Sequence, residues 1–152
     1  MKNYKEFSMY DYINNDPLSK KAAVELLEYL GYYRLVVPLN RQKEQYKKYD
    51  FEMISTTDNI KVGIEVERKS IWYKNFEWST IDVPGRKKVN QAKLYILFNN
   101  DYSQIAMTAM KNILKSKIIY KNTKYSENEE FFSVDKNLFN FYKRENNKWI
   151  LN

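Results

Sequence analysis

Ala22, Ala23, Leu26, Leu27 and Leu30 recur at the i, i+3/i+4, i+7/i+8 spacing of a helix with one apolar stripe. The surrounding segment, "DPLSKKAAVELLEYLGY", carries its own punctuation. Asp16 or Ser19 can cap, Pro17 suits a first turn, and Gly31 suits the residue just past the last turn. Glu25 and Glu28 fall off the stripe and belong to a solvated side. Downstream the period shortens to two. "YYRLVVPL" reads as a β-type run, and "YDFEMISTTDNIKVGIEVERK" (49–69) as two runs around the polar turn 56–59. "SIWYKNFEWSTIDVPGRKKVNQA" predicts an aromatic loop leading to a short helix after Pro84. "KLYILFNN" predicts a buried strand, and "QIAMTAMKNIL" a strand or a helix. "KSKIIYKNTKYSENEE" is mixed and polar, "FFSV" predicts a short strand, and "DKNLFNFYKREN" a terminal amphipathic helix capped by Asp135.

The order helix, strand, strand, strand, helix, strand predicts an α/β protein, a three-layer-like sandwich with a central mixed β-sheet. At 152 residues, with three Gly, three Pro and no linker-like tract, the chain predicts one domain over 1–152. Its core would span about 17–98, followed by a C-terminal extension over about 99–152. Hydrophobic residues at 43% and aromatics at 16% exclude a disordered chain.

Cysteine and histidine are both absent, which excludes disulfides, zinc sites of the Cys/His type and any histidine-based triad or general base. Carboxylates, Lys, Tyr and Ser/Thr remain for chemistry, with a hard oxygen-bound cation such as Mg²⁺ as the fitting metal. The opening "MKNYKEFSMYDY" lacks an apolar h-region and no later run has the length of a membrane span. A soluble cytoplasmic protein with no membrane partner is expected. A net charge of +7 favours a polyanionic partner, DNA or another nucleic acid.

One row of residues sets a problem. In the second run of 49–69, Glu65, Glu67 and Lys69 alternate with Ile64 and Val66, so the charges share one face of a strand and the apolar residues the other. A turn centred between Thr57 and Asp58 pairs Asp50 with Glu65 and Glu52 with Gly63; moving the centre by one residue pairs Asp50 with Glu67. Both registers set Asp50 on the charged face, whereas an odd-length loop sets it on the other unless a bulge intervenes. Opposed Cβ atoms lie about 4.5–5.5 Å apart, so carboxylates this close repel one another. A divalent ion about 2.1 Å from each ligand oxygen resolves the conflict. On a plain wet sheet face the same row would only be solvated and salt-bridged.

Asp50 followed one hairpin later by Glu67-Arg68-Lys69 resembles the PD-(D/E)XK nuclease superfamily, with its restriction-endonuclease-like αβββαβ core. The resemblance implies that Asp50 and Glu67 bind Mg²⁺, with Mn²⁺ as a substitute and the Arg68 carbonyl as a further ligand. Glu65 would be an auxiliary ligand, and Lys69 would orient or deprotonate the attacking water. "NQAKLY" offers Gln91 and Tyr95, similar to the Q-x-x-x-Y of RecB-type exonucleases. The chain departs from the family in having Tyr49 where the proline before the aspartate is usual.

Arg86, Lys87 and Lys88 in "PGRKK" sit at an expected helix start, either as a phosphate clamp or as an ordinary basic turn. Trp72, Tyr73, Phe76 and Trp78 form either a stacking platform for bases or a hydrophobic lid. Phe139, Phe141 and Tyr142 suit core or a dimer contact. The expected function is a Mg²⁺-dependent DNA nuclease, with a homodimer presenting two sites as the form expected to cut duplex. The alternatives are a non-catalytic nucleic-acid-binding or inhibitory protein on the same fold, and a structural interaction module.

Overall fold

A computed structural model of the chain describes residues 9–42, 49–85 and 91–152, with side chains of the first helix described from Pro17 onward. Helix α1 (Met9–Leu30) leads into β1 (Tyr33–Arg34), β2 (Phe51–Ser55) and β3 (Lys61–Arg68). Then come β4 (Thr80–Pro84), β5 (Leu94–Phe98), β6 (Gln104–Ala109) and the short helix α2 (Met110–Leu114). The chain ends with β7 (Lys117–Lys121), β8 (Glu129–Asp135), β9 (Asn140–Glu145) and β10 (Lys148–Leu151). The fold is mixed α/β, rich in strands and poor in helices. A seven-stranded sheet has the order β1-β2-β3-β5-β6-β9-β10, and a three-stranded sheet the order β4-β8-β7. In the larger sheet β3 and β5 run parallel, and the other neighbours are antiparallel.

Alternation along the strands divides the interior in two. Phe51, Met53, Val62, Ile64, Val66, Ile96 and Phe98 pack with Ala23, Leu26 and Leu27 of α1. Tyr95, Leu97 and Ala106 point the other way, to Ile81 and Val83 of β4, Phe132 and Val134 of β8, and Ile113 of α2. The large sheet is thus covered by α1 on one face and by the small sheet on the other. The apolar stripe read from sequence is the buried side of α1, while Glu25 and Glu28 are exposed. Gly31 ends the helix at φ 79°, its N–H donating to the carbonyls of Leu27 and Glu28 at 3.2 and 3.1 Å.

Several expectations meet a different outcome. The helix spans Met9–Leu30, so Pro17 lies inside it rather than in its first turn. The crossover from β3 to β5 carries β4, paired with β8 in the second sheet. The anticipated helix after Pro84 falls largely on residues 86–90, outside the described residues, and Gln91 to Lys93 are not helical. The αβββαβ order is therefore not reproduced among the described residues. The segment read as a terminal helix is instead a short 3-10 turn (Lys136–Leu138) followed by the β9–β10 hairpin. Asp135 does cap that turn, its carboxylate accepting from the Asn137 N–H at 2.8 Å. The hairpin is reversed by Asn146 and Asn147, with φ 49° and 61°, the left-handed pair that a tight two-residue turn needs. The "QIAMTAMKNIL" stretch is both of its readings in succession, β6 and then α2.

Among the described residues no helix is long and apolar enough to cross a membrane.

Candidate functional site

The turn that positions the charged row is the polar stretch 56–59. Ser55 N–H donates to the Ile60 carbonyl at 2.9 Å, Asn59 takes φ 61°, and Asp58 Oδ1 accepts from the Ile60 N–H at 3.2 Å. The strands it joins pair Glu52 with Gly63 and Phe51 with Ile64, the register of a loop centred between Thr57 and Asp58. Gly63 is required there because the Tyr49 ring lies directly over its Cα, in the space a Cβ would take. Tyr49 in turn donates its hydroxyl to Glu52 Oε2 at 2.7 Å. Burial and that hydrogen bond push the Tyr49 phenol up to about 12, so it stays a donor across the physiological range.

Asp50 closes the end of the ladder. Its N–H donates to the Ile64 carbonyl at 3.0 Å, and its Oδ2 accepts from the Val66 N–H at 2.8 Å. The carboxylate therefore sits against the peptide between Glu65 and Glu67. Glu65 pairs in register with Tyr95, and Glu67 with Leu97, on the face that looks toward the small sheet. Glu65 is 3% exposed, a burial that costs an ionised carboxylate on the order of several kcal/mol before compensation. Among the described residues no three His, Cys, Asp or Glu side chains gather closely enough to hold a metal ion. The Asp50 carboxylate lies beside the β3 backbone that carries Glu65 and Glu67.

A small cleft of about 110 Å³ beside Glu67 is lined by Glu67, Arg68, Lys69, Phe76, Ile81, Asp82 and Leu97. Its far wall is β4, so the crossover strand of the second sheet supplies Asp82. Asp82 Oδ2 accepts from Lys121 Nζ of β7 at 2.5 Å, and Asp82 Oδ1 is buried with no hydrogen-bond partner among the described residues. Lys69 Nζ lies 4.4 Å from the centre of the Trp78 ring. Burial lowers the Lys69 pKa, the nearby Lys121 charge lowers it further, and Asp82 opposes the shift.

The aromatic loop over this cleft packs as a lid. Trp72 is buried, Phe76 meets it edge-on at 5.1 Å, and Trp78 meets Phe76 at 5.1 Å, while Tyr73 is exposed. Two buried amides hold the loop down. Asn99 Nδ2 donates to the Tyr73 carbonyl at 3.0 Å and Gln104 Nε2 to the Lys74 carbonyl at 2.6 Å.

Of the residues singled out from sequence, Glu67, Arg68 and Lys69 meet in the cleft; the Arg68 side chain donates to the Asn100 carbonyl at 2.8 Å. Gln91 is exposed in the approach to β5, and Tyr95 is buried within β5, so the two share no helix face. Arg86, Lys87 and Lys88 lie outside the described residues. Asp82 and Lys121 were missed. The alternation of Ile81 and Val83 around Asp82 was a strand signal hidden by the aromatic residues before it.

Compared with family models, curated proteins and solved structures, the chain matches none.

Proposed function

We propose that the protein is a Mg²⁺-dependent DNA nuclease that hydrolyses phosphodiester bonds with an activated water. The observation that carries this reading is the β2–β3 register, which sets Asp50 against the Val66 peptide while Glu67 and Lys69 line a cleft. The donor set fits a hard dication by its chemistry, since all candidate side-chain ligands are carboxylate oxygens. Asp50 and Glu67 would hold Mg²⁺, with the Arg68 carbonyl and Glu65 as further ligands and Mn²⁺ as a substitute. The bound ion would lower the pKa of a water and neutralise charge on the scissile phosphate.

Lys69 Nζ orients the water and meets the charge that develops on the phosphate in the transition state. Its partial burial beneath the lid strengthens that interaction by keeping bulk water away. The net charge of +7 draws DNA to the protein, and a homodimer would present two sites to a duplex. A plasmid nicking assay tests the reading. Nicking in Mg²⁺ or Mn²⁺ that EDTA abolishes is expected; no cleavage of any nucleic acid with either ion would sink it.

One observation favours a second reading, a non-catalytic nucleic-acid-binding or inhibitory protein. Asp50 is engaged by a backbone N–H, Asp82 by Lys121 and Lys69 by Trp78, so each has a structural partner in the free protein. Salt-dependent DNA binding without turnover would distinguish it.

A further inference from the structure

We propose that Lys69 and Lys121 form a clamp for a backbone phosphate at the mouth of the cleft, and that the Asp82 carboxylate is the internal anion such a phosphate displaces. The inference rests on the reading of the cleft as a phosphodiester site and adds to it the residues that grip the substrate. The two lysines come from different sheets, Lys69 from just beyond β3 and Lys121 from the end of β7. Each ammonium is steadied by an aromatic face, Lys69 by Trp78 at 4.4 Å and Lys121 by Phe131 at 4.6 Å. Asp82 lines the same cleft as Lys69 and bonds Lys121 at 2.5 Å, so one carboxylate neighbours both cations.

Two like charges brought to one place without a bound anion are unfavourable. Asp82 is only a partial answer to that repulsion. Its Oδ2 serves Lys121, and its Oδ1 is turned into the interior with no hydrogen-bond partner among the described residues. A phosphate offers two non-bridging oxygens, one for each ammonium, in charge-assisted hydrogen bonds.

Displacement is cheap. The Lys121 and Asp82 side chains are 43% and 26% exposed, and ion pairs with this much solvent contribute little. Glu67 also lines the cleft, and its charge repels an anion from that carboxylate and toward the lysines.

The sign of one substitution separates this arrangement from a purely structural ion pair. Removing the internal competitor with Asp82→Asn should tighten binding of a fluorescein-labelled thymidine oligonucleotide, by about threefold to fivefold, the scale of one partly exposed pair. Lys121→Met should weaken it and reduce the slope of log affinity against log salt by about one. The titrations are run on the full chain in EDTA, so they do not depend on cleavage. Thermal melts accompany each variant, and inorganic phosphate serves as competitor to tell a free phosphate site from a nucleic-acid one. Unchanged or weaker binding by a folded Asp82→Asn protein overturns the clamp, as does an unchanged salt slope in Lys121→Met. If the predicted changes appear while the nicking assay is blank, the clamp stands and the nuclease reading falls.

Discussion

Asp50 and Val66 are joined by a hydrogen bond of 2.8 Å from the Val66 N–H to the Asp50 carboxylate, across the open end of the β2–β3 ladder. A side chain takes the place of the strand partner that Val66 would otherwise lack. The bond also fixes where the Asp50 charge sits, next to the peptide that separates Glu65 from Glu67. Structure and proposed chemistry therefore meet in one carboxylate, and substitutions can pull them apart.

Asp50→Ala leaves the Val66 N–H without its acceptor and should cost about 1–3 kcal/mol of stability, the range for orphaning a buried group. Asp50→Asn keeps an oxygen for that N–H but loses the charge. It should melt near the parent while losing Mn²⁺ affinity and cleavage. Calorimetric Mn²⁺ titration beside thermal melts checks both. Parent-like metal binding by Asp50→Asn would remove Asp50 from the ligand set.

Gly63 and Tyr49 are a packing pair, because the Tyr49 ring occupies the position of a Cβ at 63. Gly63→Ala should destabilise by about 1–3 kcal/mol, as overpacking does. Combining it with Tyr49→Ala should cost clearly less than the two losses added, since the clash is gone. Additive losses in denaturant melts would mean that the ring moves aside freely.

The register of this hairpin was legible in the sequence because its side-chain period is two and its turn is polar. Those two constraints left few pairings, and the one observed, Glu52 with Gly63, was among them. The stripe on α1 and the Gly31 stop were legible for the same kind of reason. The second sheet was not. Nothing in the local pattern of β4 says that its partner is β8, almost fifty residues on, and the aromatics that precede it read locally as a loop. That pairing is also what brings Asp82 and Lys121 to the cleft. The C-terminal hairpin was misread because Phe139, Phe141 and Tyr142 fit a helical stripe and a strand alternation about equally. Asn146-Asn147 was the turn signal that decides between them.

That turn gives its own test. Asn147→Val forces a β-branched residue into φ 61° and should cost about 1–3 kcal/mol. Hydrogen exchange should show the loss first in β9 and β10. A variant as stable as the parent would mean that the turn re-forms with another conformation.

Asp101 predicts a pH dependence. The Ser103 hydroxyl above all holds its pKa below the usual carboxylate value, with Ser103 N–H and Asn99 adding and desolvation opposing. A depressed folded pKa means that the ionised form is favoured by folding, so the stabilisation is full above the unfolded value of 3.8 and is lost as pH falls through the lower folded one. Asp101→Asn should therefore lower stability at neutral pH, by about 1 kcal/mol or less for so exposed a group. The gap between variant and parent should close as pH drops below 3.8. A gap that persists unchanged in acid would assign it to shape rather than charge.

Lys69 carries the most weight. It lies two residues beyond Glu67, in the cleft that Asp82 walls, with its ammonium against Trp78. In the proposed nuclease its part is electrostatic, near where charge develops, so Lys69→Met should cut cleavage by roughly 10²-fold or more, as losing one preorganised donor does. Lys69→Arg should rescue poorly, because a planar fork cannot replace a compact point charge. Stability should move the other way. Burial lowers the Lys69 pKa first and Lys121 adds to it, so the charged form is disfavoured by folding. That burden is present below the folded pKa and is relieved as pH rises toward the ordinary lysine value of 10.5. Lys69→Met should then be at least as stable as the parent at neutral pH, with its advantage shrinking in alkali. Matched melts and nicking rates separate the two effects. A variant that is stable yet inactive has lost chemistry alone, whereas one that nicks DNA as fast as the parent shows that the charged row serves some other end.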